Sequence, residues 1–194
     1  MGSHSKNKGS SFERSICKRL SLWISNGTAE DCLWRSAMSG GRSTVAGKRG
    51  VKLSRQAGDI SAVSPEGHAL TDKFFVECKH VHKLDVQGLV TGKGLLWSFW
   101  VEACSQAATY SKEPLLIAKQ DRWATIACTT NIGLALLEAG GITRLKASPT
   151  NPPDTTPIMH VMLLEDLLAQ NFALRKRVER KRIVMKHAHL QSPK

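Results

Sequence analysis

Between Phe12 and Ile24 the apolar residues Phe12, Ile16, Leu20, Trp23 and Ile24 return every three or four positions, with Lys18 and Arg19 between them. That period sets one side of the segment against a core and predicts an amphipathic first helix, stopped by Asn26-Gly27. Leu33-Trp34-Arg35 fits a short strand. The pattern then gives way to a stretch rich in Ser, Gly, Lys and Arg from Ser36 to Gly58, which predicts a basic loop. Strand character returns at Asp59 to Val63 and at Phe74 to Lys79. Between them Ser64-Pro65-Glu66-Gly67 has the composition of a turn, so these two runs are expected to pair as an antiparallel hairpin.

A second helical period covers Ser98 to Ser111, with Trp100, Ala103, Cys104 and Ala107 on one face and Pro114 just beyond. Leu115 to Ala118 and Trp123 to Cys128 predict strands joined by the polar turn Lys119 to Arg122, and Asn131 is expected to cap a short helix ending at Gly140-Gly141. A loop through Pro149, Pro152, Pro153 and Pro157 leads to an apolar run, Ile158 to Leu164, and to a last helix with a strongly basic far end. Alternation of this kind predicts an α/β layered domain, a mixed sheet with helices on its faces. Residues 8–174 are expected to form it, between a flexible lead at 1–7, whose Met1-Gly2-Ser3-His4 looks like an appended remnant, and a basic tail at 175–194.

Composition narrows the partner. The chain has 194 residues and 41% hydrophobic content, enough for a core, and its 28 Lys plus Arg against 16 Asp plus Glu give a formal charge of +12. A field of that sign concentrates polyanions and makes nucleic acid the leading partner class. The five cysteines are scattered and never spaced C-x-x-C, which argues against a disulfide framework or zinc ribbon as the organising device. The start of the chain is polar and no run reaches the length of a membrane span, so a cytoplasmic protein without a membrane partner is expected.

The chemistry concentrates at Glu77-Cys78-Lys79. On a strand, residues two apart leave the same face, so Glu77 and Lys79 stand together while Val76 and Cys78 point the other way. If Asp59 approaches Glu77, two carboxylates repel unless a cation lies between them. Hard oxygen ligands call for magnesium, with manganese as a substitute. A bland alternative exists: an E-x-K pair is also what the polar face of an ordinary edge strand looks like.

Four stretches carry a family resemblance: Lys8-Gly9-Ser10-Ser11-Phe12-Glu13-Arg14, Arg35-Ser36-Ala37-Met38-Ser39-Gly40-Gly41, Gly58-Asp59-Ile60 and Glu77-Cys78-Lys79. Over residues 8–83 the chain resembles the PD-(D/E)XK nuclease superfamily, and within it the archaeal-type Holliday junction resolvases. The resemblance implies a restriction-endonuclease-like mixed sheet and a magnesium-dependent deoxyribonuclease acting on branched or double-stranded DNA. It implies Glu13, Asp59 and Glu77 at the metal, Lys79 as a catalytic residue, and Arg14, Arg35 and Ser39 in contact with DNA or assisting the site. It also implies a homodimer, since two symmetric cuts need two active sites. Gly58 stands where the family's name places a proline, and the basic loop and carboxyl-terminal half are longer than a minimal resolvase requires. A restriction-type or exonucleolytic phage nuclease, or a non-catalytic DNA-binding module of the same fold, fits the same residues.

Several features carry competing readings. Ser10-x-x-Glu13 has the form of a capping box, in which Glu13 serves only the helix start. Glu102, Gln106 and Tyr110 share one side of a helix, and Gln106 to Tyr110 resembles the Q-x-x-x-Y of recombination exonucleases, making Gln106 a candidate DNA contact. The segment Gly41 to Arg49 fails as a phosphate loop because its spacing is one residue too long and Arg49 replaces Ser or Thr. Arg42, Lys48, Arg49, Lys52 and Arg55 are instead expected to follow a DNA backbone. Cys78, His80 and His82 alternate along a strand but lack a fourth zinc ligand. Leu95, Leu96, Trp97, Phe99 and Trp100 suit core packing, with a subunit interface as the other use.

Overall fold

The computed structural model describes residues 3–36, 57–139, 141–148 and 156–170, with side chains from Asn7 onward. Helix α1 (Ser3–Ile24) starts well before Phe12. Ser10 is therefore inside the helix, where a capping box does not form, and the capping role of Glu13 falls away. Phe12, Ile16, Leu20, Trp23 and Ile24 are all buried, as their period predicts. Asn26 (φ 53°) and Gly27 (φ 80°) then turn left-handed, and the Gly27 N–H donates to the Leu22 carbonyl at 2.6 Å, closing the helix end.

Strand β1 (Leu33–Arg35) pairs antiparallel with β2 (Ile60–Ala62), matching Leu33 with Ala62 and Arg35 with Ile60. The hairpin expected between the Asp59 and Phe74 runs does not form. Helix α2 (Pro65–Thr71) occupies the presumed turn, with Pro65 at its first position and Ser64 extended before it. Pro and Gly there have helical uses: Pro65 sets φ where no N–H partner is needed. A Cβ on Gly67 would stand 2.3 Å from the Cys32 carbonyl oxygen, so glycine lets α2 lie against the start of β1.

Beyond α2 come β3 (Phe74–Val81), the short α3 (Gly88–Thr91), α4 (Leu95–Thr109), β4 (Glu113–Gln120), β5 (Thr125–Thr129), α5 (Asn131–Leu136), β6 (Leu145–Ala147), β7 (Met159–Leu163) and α6 (Leu164–Ala169). Thr130, not Asn131, caps α5: its side chain accepts from the Gly133 N–H. The order β3-β4-β5-β7-β6 makes a five-stranded sheet in which β3 and β4 are parallel and the other pairs antiparallel. A parallel pair needs a crossover, and α4 provides it.

Alternation along the strands sorts the core into two layers. Val76, Cys78, Ile117, Ala127 and Met162 pack with the apolar face of α1, while Leu116, Ala118, Cys128 and Val161 pack with Trp97 and Trp100 of α4. Leu96, Trp97 and Trp100 are thus core residues, and Leu95 is 40% exposed. The fold is α/β, a mixed sheet flanked by helices, as the sequence pattern predicts. All five cysteines are free thiols, and Cys17, Cys32, Cys78 and Cys128 are buried. Among the described residues no helix is long and apolar enough to cross a membrane.

Candidate active site

β3 is an edge strand of the sheet, with β4 on one side. Its other side is met by Gly58, which bridges to Val76 in parallel sense. The Asp59 N–H donates to the Val76 carbonyl at 2.8 Å, and the Cys78 N–H donates to the Asp59 carboxylate at 2.8 Å. This is how Asp59 reaches Glu77: by a short backbone graft onto the strand edge, not through a hairpin. Gly58 makes the graft possible. Its φ is +86° and a Cβ there would lie 2.5 Å from the Val76 carbonyl oxygen. A proline, fixed near −65°, cannot adopt that conformation, so the proline of a proline-aspartate pair would not fit at this position.

Glu77 and Lys79 project from the face of β3 that α4 covers. Lys79 Nζ lies 2.7 Å from a Glu77 oxygen, 3.9 Å from a Glu102 oxygen and 5.2 Å from the centre of the Phe99 ring. Gln106 donates to Glu102 at 3.1 Å, so the stripe on α4 reaches Lys79 through one intervening carboxylate. Glu102 was visible in the sequence as a member of that stripe, but its approach to a strand residue is a tertiary fact without a local signal. Tyr110 stacks on Phe75 with ring centres 6.1 Å apart and supports β3 from below the site.

Asp59 and Glu77 are each only 9% exposed. Burial first, then repulsion from Glu77, pushes the Asp59 carboxyl up to about 7, against the pull of the Cys78 N–H. Glu77 is raised as well, by burial, with Lys79 opposing. For Lys79 burial works against the charged form, but the charge and hydrogen bond of Glu77, with Glu102 and Asp59, hold it above its ordinary value. Two buried carboxylates that resist ionisation together are a donor set suited to a hard dication. Among the described residues no trio of acidic, histidine or cysteine side chains forms a ready-made metal cage. Glu13, on α1, pairs with Arg35 of β1.

The remaining expected contacts divide in three. Arg14 is exposed on α1 beside Glu13, and Arg35 is engaged with Glu13. Gln106 belongs to the α4 stripe. Ser39, Arg42, Lys48, Arg49, Lys52 and Arg55, together with the tail at 175–194, lie outside the described residues. No zinc group forms from Cys78, His80 and His82: Cys78 is in the core, while His80 Nε2 and His82 Nδ1 meet the two Asp121 oxygens at 3.0 and 3.1 Å. A cavity of about 860 Å³ lined by Lys73, Cys104, Lys112, Glu113, Ile132 and Pro157 includes none of Asp59, Glu77 or Lys79. It opens at the start of β4, whose Glu113 is matched with Phe74 at the far end of β3 from Lys79.

A family model described as "Phage putative PDDEXK endonuclease" matches residues 4–137, well over half of the chain and every element that builds the site. No curated protein and no solved structure matches.

Proposed function

The chain belongs to the phage PDDEXK endonuclease family, and we propose that Asp59, Glu77 and Lys79 are its working centre for metal-dependent hydrolysis of DNA. The observation that carries this reading is the hydrogen bond from the Cys78 N–H to Asp59, which fixes one buried carboxylate beside Glu77 on the same strand edge. Asp59 and Glu77 would hold magnesium, or manganese in its place. The ion would supply charge neutralisation on the phosphodiester and acidify water.

The protein's own groups do the rest. Water adds to phosphorus, the bond to one deoxyribose oxygen breaks, and that oxygen takes up a proton, leaving a phosphomonoester and a hydroxyl. Lys79 keeps its charge at neutral pH, since its carboxylate neighbours favour the ammonium, and it offsets the charge that builds on phosphate. The Phe99 ring limits where that ammonium points. Glu13 contributes from α1, positioned by Arg35, and Arg14 and Arg35 meet the DNA backbone.

Branched DNA is the proposed substrate and a two-fold dimer the proposed working form, both supported by the Holliday junction resolvase resemblance of the motifs. The test is incubation with four-way junction, linear duplex and single-stranded DNA, with magnesium or with EDTA, beside Glu77→Ala and Lys79→Ala. Junction cutting that disappears in EDTA and in both variants is the expected result. Binding without cutting under any divalent ion overturns the catalytic reading.

A further inference from the structure

At the end of β3, beyond Lys79, the β4–β5 turn gathers a second group of side chains. Asp121 is its hub: it pairs with Lys8 of α1, His80 and His82. The Asp121 N–H donates to the Val81 carbonyl at 3.1 Å, binding the turn to the strand that carries Glu77 and Lys79. Arg122 follows with φ +63°, a conformation that suits glycine or asparagine better. This left-handed step is followed by Trp123, which is 62% exposed; Trp34 on β1 is similarly exposed, whereas Trp23, Trp97 and Trp100 are buried. Lys83 and Arg122 are exposed and Lys119 half-buried nearby.

An exposed tryptophan loses the burial that ordinarily justifies it, and this one directly follows the exposed Arg122 on the turn that begins at Lys119. We propose that the β4–β5 turn is a binding site for an unpaired DNA base, with Trp123 as the stacking surface and Lys8, His82 and Arg122 as contacts to the adjoining phosphates. Charge complementarity favours a nucleic-acid strand over a protein partner, because Lys8, Lys83, Lys119 and Arg122 stand at this end of the sheet against one carboxylate of the turn, Asp121. Stacking on an aromatic ring is open to any base, and flanking cations follow the backbone. From Lys79 to His82 the strand advances roughly 10 Å, so the unpaired base would lie within a few nucleotides of the scissile phosphate. The site therefore selects gapped, flapped or junction DNA over continuous duplex. It rests on the reading of Asp59, Glu77 and Lys79 as a DNA-cleaving centre, which brings a strand to β3.

Binding of the full chain in EDTA tests it, by fluorescence anisotropy with labelled duplex carrying a short single-stranded gap and with the same duplex intact. Trp123→Ala should weaken binding to gapped DNA about tenfold and leave intact duplex within about twofold, with Trp123→Phe recovering most of the loss because it keeps an aromatic face. Circular dichroism confirms that each variant is folded. An equal loss on both DNAs, or no loss on either, overturns the proposal. Since no cutting occurs in EDTA, failure of the cleavage reading would appear separately, as absence of metal-dependent product with the gap preference intact.

Discussion

The two faces of β3 are built from alternate residues of one strand and have opposite physical characters. Phe74, Val76 and Cys78 are buried against α1 and its neighbours, an apolar layer in which each side chain adds to stability. Phe75, Glu77 and Lys79 face α4, where Phe75 packs on Tyr110 but the next two positions hold a buried acid and a half-buried base beside Asp59. Desolvating two carboxylates is unfavourable, so the second face must draw on the stability of the first. The contrast teaches that one strand can anchor an apolar layer on one side and carry closely spaced ionisable groups on the other, provided its period of two is kept.

Separating the faces by mutation should separate the effects. Glu77→Gln is expected to lower metal-dependent cleavage by roughly a thousandfold with the fold retained, read by single-turnover assay beside circular dichroism. Phe74→Ala, on the other face, should cost about 3–5 kcal/mol of stability, measured by urea unfolding, while the surviving folded protein cuts at a near-normal rate. Gly58→Ala tests the join between the faces. Its Cβ would press on the Val76 carbonyl at a strained φ, so a loss of about 1–3 kcal/mol with a marked fall in cleavage is expected.

The smallest effect concerns pH. Asp59 titrates near 7 when folded and metal-free, against an ordinary value of 3.8. The folded state therefore holds a proton that the unfolded state has lost, and its contribution to stability is present on the acid side and disappears as pH rises through about 7. In EDTA the melting temperature should fall by several degrees between pH 5 and pH 8, and Asp59→Asn should flatten that slope. Magnesium should restore more at pH 8 than at pH 5.

Much of this contrast is legible in the sequence. Glu77-x-Lys79 against Val76 and Cys78 follows from strand alternation alone, and the α1 stripe follows from helical period. The sequence pattern misleads where two structures share one composition: Ser64-Pro65-Glu66-Gly67 reads equally as a turn and as a helix start, and the protein uses the second. What brings Asp59 to Glu77 is a parallel bridge between Gly58 and Val76, a contact between segments with no local signature. The pairing of Glu13 with Arg35 and of Lys79 with Glu102 is hidden for the same reason. Strand β6, with Leu145 and Lys146 exposed, lacks the apolar run that would announce it.

The most direct test of the central claim is manganese binding, followed by electron paramagnetic resonance on wild-type protein, Asp59→Asn and Glu77→Gln, with DNA cleavage measured on the same samples. The account predicts that wild type binds the ion and cuts DNA, and that each substitution weakens binding and abolishes cutting while the protein stays folded. Unchanged manganese binding and undiminished cleavage in Glu77→Gln would contradict it.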